Sequence, residues 1–342
     1  MSTPVDVQAS RPAHAAIQVF RDAFETFSTL AKVLVPVLLL TRILEQTGAI
    51  LLLGEALSPV MGAVGLPGSM GLVWATAMLI NMYGSMIVFA SLAPAASLTV
   101  AQVTVLGCMI LIAHGLPVEL RVAQKAGSRL RAIGPLRVLA ALALGWIVHR
   151  TCTAFGWLQQ QSNPLLKPSA PDPSWAAWTV AQVRNLAMIF VIILTLLVLL
   201  RVLKRLHVID ILIRPLTPLL HRLGLSENAT PLTIIGMTLG LTYGGGLIIR
   251  ESRSGRLSGR DVFFSLALLS LSHSLIEDTL LMMAIGAHVG GVLVGRVLFS
   301  IAVVYVLART LGRLPDETFE RLLVRPAAGR TPLKAAGCPD SR

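Results

Sequence analysis

Charged residues make up only 13% of the 342-residue chain, about half the share expected of a soluble domain. That scarcity excludes an ordinary water-soluble globule, and a hydrophobic share of 54% with a mean hydropathy of +0.74 agrees. Cysteine is nearly absent. Cys108, Cys152 and Cys338 form no CxxC pair, which argues against a disulfide framework or a cysteine metal site. Aromatics reach only 5% and do not interleave with basic residues, so the net charge of +12 does not signal nucleic-acid binding. Alternation at the roughly ten-residue spacing of a membrane β-barrel is missing as well. So are HExxH, GxSxG and Walker-type motifs; Gly244-Gly245-Gly246 lacks the Lys-Ser/Thr of a phosphate loop. The expectation is a protein that is not an enzyme, carries no cofactor and no resident metal, and does not itself drive transport with ATP.

Long apolar segments are what the chain does have. Leu186–Leu200 is interrupted only by Thr195, and a hydrocarbon core of about 30 Å needs roughly 20 helical residues. The basic residues cluster in short stretches beside such segments, the pattern of cytoplasmic loops. Met1–Ala16 is polar, so the first spanning helix is expected to act as the membrane signal.

The chain also repeats itself. Leu57-Ser-Pro59 followed by Gly65-Leu66 matches Leu216-Thr-Pro218 followed by Gly224-Leu225, an offset of 159 (218 − 59). Asn81-Met-Tyr-Gly-Ser85 aligns with Leu241-Thr-Tyr-Gly-Gly245 at an offset of 160, and His114–Glu119 with His273–Asp278 at 159 again. Each copy reads as a spanning helix (about 24–44 and 183–203), then a Pro-containing amphipathic stretch (Gly48–Val64 and Ile209–Leu223). An apolar segment broken by Tyr-Gly and two further apolar segments complete it. The divisions are a polar N-terminal segment (1–19), a first repeat (20–154), a Pro/Ser-rich extracytoplasmic connector (155–182), a second repeat (183–311) and a basic tail (312–342) holding a short helix.

Met70–Pro94 and Thr230–Ser254 either cross the membrane or dip in and return at Gly84-Ser85 and Gly244–Gly246. Only the hairpin reading puts the basic run Arg121, Lys125, Arg129, Arg131, Arg137 on the same side as Arg250–Arg260 and the tail. The expected fold class is therefore an all-α polytopic membrane protein of two inverted repeats. Each has about three full transmembrane helices, an amphipathic helix and a re-entrant hairpin. The expected location is the inner (cytoplasmic) membrane, with both termini cytoplasmic. The expected partners are the lipid bilayer and a small polar solute, with homo-oligomerisation left open.

Ionisable groups at membrane depth mark pathways or pair with one another. His273 and Glu277 are four apart and are read as sharing a helix face beside Ser274 and Asp278. They are expected either to bind solute or to form a buried structural pair. His114 and Glu119 hold the matching places, with Glu119 either at the site or at the interface; Pro117 is expected to unwind that span. Asn81, Tyr83 and Ser85, with Tyr243, Gly244 and Gly245, sit at the hairpin tips and complete the candidate set. A proton or sodium ion is the expected coupling ion. His149, His207, His221 and His288 are read as interfacial, and Arg250 and Glu251 as either cavity-lining or a surface pair.

Leu239–Glu251 (LGLTYGGGLIIRE) and Ser272–Thr279 (SHSLIEDT) resemble the nucleoside-recognition, or Gate, domain. That domain occurs in spore maturation proteins A and B, the ferrous-iron transporter B family and concentrative nucleoside transporters. Asn81-Met-Tyr-Gly84 resembles a more diverged copy, so the chain looks like two fused modules over about 20–311. The resemblance implies hairpins and unwound helices around a central site, lined by 81–85, 114–119, 243–246 and 273–278. The chain lacks the acidic residue that nucleoside transporters carry at the first tip, and it is shorter than they are. The resemblance implies secondary transport, possible substrates including nucleosides. The spore-maturation likeness points instead to a scaffold, receptor, assembly factor or subunit of a larger complex.

Overall fold

The computed structural model describes residues 12–165, 174–205 and 216–324, which are helical apart from short connections and two isolated bridges. His207 and the start of the second amphipathic stretch lie outside the described residues. In the first half, α1 spans Pro12–Gln46, α2 Ala49–Ala63, α3 Met70–Leu79, α4 Met82–Ala96, α5 Val100–Ile112, α6 Leu116–Ala126 and α7 Leu130–Phe155. In the second, α8 spans Trp175–Arg205, α9 Leu216–Arg222, α10 Ala229–Leu239, α11 Leu241–Arg253, α12 Gly259–Leu271 and α13 Glu277–Ala284. A π-helical turn, Gly290–Gly295, runs into α14 (Arg296–Leu311), and α15 (Asp316–Leu323) follows.

Among the described residues five stretches are long and apolar enough to cross a membrane: Ile17–Leu44, Val100–Ala126, Leu130–Phe155, Trp175–Leu199 and Gly290–Leu311. The chain is a multi-pass helical membrane protein. The crossing read at 183–203 starts earlier, at Trp175. The sixth expected crossing is divided into α12 and α13, because the chain leaves the helix at Ser272 and Ser274 takes a left-handed φ of 46°. Val100–Ala126 is interrupted in the same way between α5 and α6, where Gly115 has a φ of 53°. Pro117 follows in the first turn of α6, a position where its missing N–H is tolerated.

Burial separates the centre from the rim. The apolar window of Val100–Ala126 is 72% buried, whereas that of Gly290–Leu311 is only 22% buried. α5 and α12 form the core, with Leu106, Met109, Leu266 and Leu268 fully enclosed. α1 and α8 pack together at the rim through Phe20 and Phe27 against Phe190 and turn apolar side chains such as Leu40 and Val191 outward.

Both Tyr-Gly segments fold back on themselves. Gly84 lies against the methyl group of Thr76, and the Gly244 and Gly236 backbones touch. Residues eight apart on one straight helix would be separated by about 12 Å. Small residues permit this approach, which matters where lipid removes the hydrophobic drive between helices. A Cβ at Gly244 would collide with Gly236 Cα, whereas one at Gly246 meets nothing within 4 Å. Gly244→Ala is therefore expected to cost about 1–3 kcal/mol by overpacking. Gly246→Ala should be neutral or stabilising by up to about 1 kcal/mol. Unfolding in mixed micelles checks both, and an equal response would refute the hairpin contact.

The tail helix α15 docks on α12. Arg260 donates to the carbonyls of Gly312 (2.6 Å) and Leu314 (2.7 Å) and pairs with Asp316, and Phe319 is buried against Phe263 and Phe264.

Candidate functional site

The breaks after α5 and α12 expose helix-end carbonyls that need donors. In the first copy the His114 ring, through Nδ1, lies 3.0 Å from the Ile110 carbonyl, and Arg137 Nε donates to the Ile112 carbonyl at 2.7 Å. In the second, His273 Nδ1 lies 2.7 Å from the Leu269 carbonyl, and Arg296 Nε donates to the Leu271 carbonyl at 2.9 Å. Every partner is displaced by 159 (273 − 114; 296 − 137; 271 − 112). A guanidinium at a helix C-terminus also complements the negative end of the helix dipole. Each break is tied to the first limb of its own hairpin, Gly115 N–H donating to Ala77 O (2.8 Å) and Leu275 N–H to Met237 O (3.0 Å).

The copies meet at Glu119. Its Oε1 lies 3.0 Å from His114 Nε2 and 3.4 Å from His273 Nε2, while Oε2 is paired with Arg137 Nη1. The two imidazole rings are 5.1 Å apart. Glu119 therefore lies inside the protein between the two histidines, its side chain 15% exposed. Arg137 is fully buried in α7 and belongs to this cluster, which corrects its place in the basic loop run; that run keeps Arg121, Lys125, Arg129 and Arg131. Sequence reasoning missed Arg296 altogether, although its offset of 159 from Arg137 is legible once the repeat is known.

The expectation that His273 and Glu277 share a helix face is overturned. His273 lies in the non-helical break, whereas Glu277 opens α13. The two do not form a pair: His273 faces Glu119, and Glu277 accepts from the Tyr83 hydroxyl at 3.2 Å. The Tyr83 contact joins the first hairpin tip to the second break. Asp278, the counterpart of Glu119, is buried, and its Oδ2 has no hydrogen-bond partner among the described residues.

The remaining candidates make local contacts. Asn81 caps α4 by accepting from Gly84 N–H at 2.8 Å, and Ser85 donates to its own helix at Met82 O. Gly244 packs on Gly236, and Gly245 faces Val122 of α6 across the repeat boundary. Ser274 holds the left-handed turn, a strained conformation for a residue with a side chain. The Tyr243 side chain lies outside the described residues. Glu251 pairs with Arg256 at 2.8 Å rather than lining the cluster, and Arg250 is exposed. His149, His221 and His288 sit apart, near Thr153, the Leu225 carbonyl and the Gly290 amide.

Residues 186–289 match the Gate family model, described as nucleoside recognition. The second repeat is similar to a Gate domain. The match contains both α10–α11 and the break that carries His273, Glu277 and Asp278, so half of the cluster lies in Gate-like sequence. The chain is also 29% identical over 300 residues to YvoD of Bacillus subtilis (strain 168), an uncharacterized membrane protein; the alignment covers 84% of this chain and 92% of that one. No solved structure matches.

A separate cavity lies elsewhere. It is an open cleft of about 450 Å³ between α4 and the connector, lined by Phe89, Pro94, Ser97, Gln161 and Ser162. Among the described residues its lining carries no ionisable group.

Proposed function

We propose that this chain is a secondary transporter that carries a small polar solute across the membrane, driven by an ion gradient, with its site where two inverted repeats meet. One observation carries the reading. The duplicated arginines make their Nε bonds identically but place their remaining donors differently. Arg137 reaches Glu119, whereas Arg296 Nη2 donates to the His273 carbonyl at 3.0 Å. Each guanidinium keeps one buried nitrogen without a partner among the described residues, Arg137 Nη2 and Arg296 Nη1, so the difference lies in the carboxylates: Glu119 is paired, whereas Asp278 Oδ2 is buried without a hydrogen-bond partner. A buried orphan charge costs several kcal/mol, so this asymmetry is expensive in any static scaffold. It is the arrangement of a two-state device whose other state pairs Asp278 with Arg296 and releases Glu119 from Arg137. Alternating access between inverted repeats exchanges the copies' conformations in that way.

The charge pattern supports inversion, since folded-back hairpins leave three crossings per copy and the basic stretches on one side. The limbs α3 and α10 have 10 and 11 residues, about 15–17 Å at 1.5 Å per residue and half the hydrocarbon core. The Gate likeness supports a solute site at the tips and breaks, with a nucleoside-like solute one member of the class to screen.

Purified protein in proteoliposomes, given a panel of nucleosides and other small polar solutes under imposed proton or sodium gradients, is expected to show gradient-dependent uptake at least tenfold above empty vesicles. Absence of both uptake and thermal stabilisation across the panel would replace transport with a scaffold or subunit role.

A further inference from the structure

The protonation pattern of the two histidines says what the cluster needs. A backbone carbonyl only accepts, so His114 and His273 each carry their proton on Nδ1, facing Ile110 O and Leu269 O. With both imidazoles neutral, their Nε2 lone pairs then point at one carboxylate oxygen, Glu119 Oε1, at 3.0 and 3.4 Å. Three electron-rich atoms converging in a buried site repel one another unless a cation lies among them. The wider surroundings agree: Glu119, Glu277 and Asp278 supply three formal negative charges against the two of Arg137 and Arg296.

We propose that His114 Nε2, His273 Nε2 and Glu119 Oε1 bind a divalent transition-metal ion that bridges the two repeats. The three ligand atoms lie within 4.8 Å of one another. A tetrahedral site with metal–nitrogen bonds of about 2.0–2.1 Å has ligands about 3.4 Å apart, so small ring movements complete it. The surroundings are those that such ligands require. Each histidine is oriented by a carbonyl on its other nitrogen, and the ligating carboxylate is held through its second oxygen by Arg137. Two imidazoles and one carboxylate leave a fourth position for water or another ligand, and nitrogen-rich ligation selects zinc, cobalt or iron over magnesium or calcium. Because His114 and Glu119 come from the first repeat and His273 from the second, the ion clamps the two breaks together. This goes beyond transport and is measured without flux.

The test uses tag-free full-length protein in detergent, stripped with a chelator and titrated with Co²⁺. One ion per chain is expected, with the visible absorption of a four- or five-coordinate site, displacement by Zn²⁺ and a raised unfolding temperature. His273→Ala and Glu119→Gln should each weaken binding at least about tenfold to hundredfold. His273→Cys should restore it with a thiolate-to-cobalt charge-transfer band, a signature that no merely structural role of His273 produces. Exposed His221→Ala should bind as the parent does. No cobalt absorption in the parent protein would overturn the proposal, leaving a proton to bridge the cluster. So would absorption that survives both ligand substitutions, or a Cys variant that folds and lacks the charge-transfer band. Failure of uptake in proteoliposomes leaves the metal result standing, and the reverse also holds.

Discussion

Arg137→Met is expected to remove about 3–5 kcal/mol of stability, the largest loss of any single substitution considered for this chain. The guanidinium is fully buried, donates to the Ile112 carbonyl at 2.7 Å and is paired with Glu119. Methionine fills most of the volume but leaves a helix-end carbonyl without its donor and a buried carboxylate without its guanidinium. The duplicated Arg296 supplies the control. Arg296→Met also loses two carbonyl partners, Leu271 O and His273 O, but its carboxylate counterpart Asp278 is already unpaired. Its cost is therefore expected to be smaller, about 1–3 kcal/mol. Combining Arg137→Met with Glu119→Gln should recover part of the loss, because no ionised carboxylate is then stranded. Equilibrium unfolding in mixed micelles measures all three. Equal losses for the two arginines, with no recovery in the double variant, would refute the asymmetry on which the two-state reading rests.

Glu119→Gln is expected to lower solute uptake by about a hundredfold or more while the protein still inserts and elutes as a single species. Glutamine keeps one carbonyl oxygen for Arg137, but its amide group brings no negative charge to the two imidazoles. Oε1 is the atom on which both histidines converge, and an uncharged amide oxygen there is a far weaker partner for any cation or proton held between them. His273→Ala should fall in the same range, since it deletes the arm by which the second repeat reaches Glu119. Glu277→Gln should be far milder, tenfold or less, because an amide oxygen still accepts from the Tyr83 hydroxyl. Initial uptake rates at matched protein density rank the variants. If Glu277→Gln proved as severe as Glu119→Gln, the site would centre on the Tyr83–Glu277 contact instead.

The difference between those two glutamates shows how far residue spacing could be trusted. Glu277 stands four residues after His273, and a helix would place them together; the helix ends before His273 because Arg296 takes the Leu271 carbonyl and Ser274 turns left-handed. Glu119 stands 154 residues from His273 (273 − 119), a separation that no periodicity can report. Arg137 was hidden by its neighbours. With Arg129 and Arg131 close by it reads as one more loop cation, although it faces inward from α7.

Helical, multi-pass membrane character follows from the sequence by itself, since runs such as Leu186–Leu200 leave no alternative solvent for their side chains. Matching landmarks at offsets of 159 and 160 are legible there too, and so is the break at Gly115, foreshadowed by Pro117; the break beside His273 is implied only by the Gate resemblance, since the spacing of His273 and Glu277 by itself reads as continuous helix. Tertiary structure alone decided which polar groups meet. Local sequence determines where a backbone hydrogen bond goes unmade, but the donor that satisfies it arrives from another helix. Arg137 and Arg296 each reach 25 residues back to cap a carbonyl, and Glu119 then sits where both repeats' histidines can turn toward it. That convergence depends on how the two copies pack, through contacts such as Gly245 on Val122, and packing is a property of the pair that neither copy carries alone.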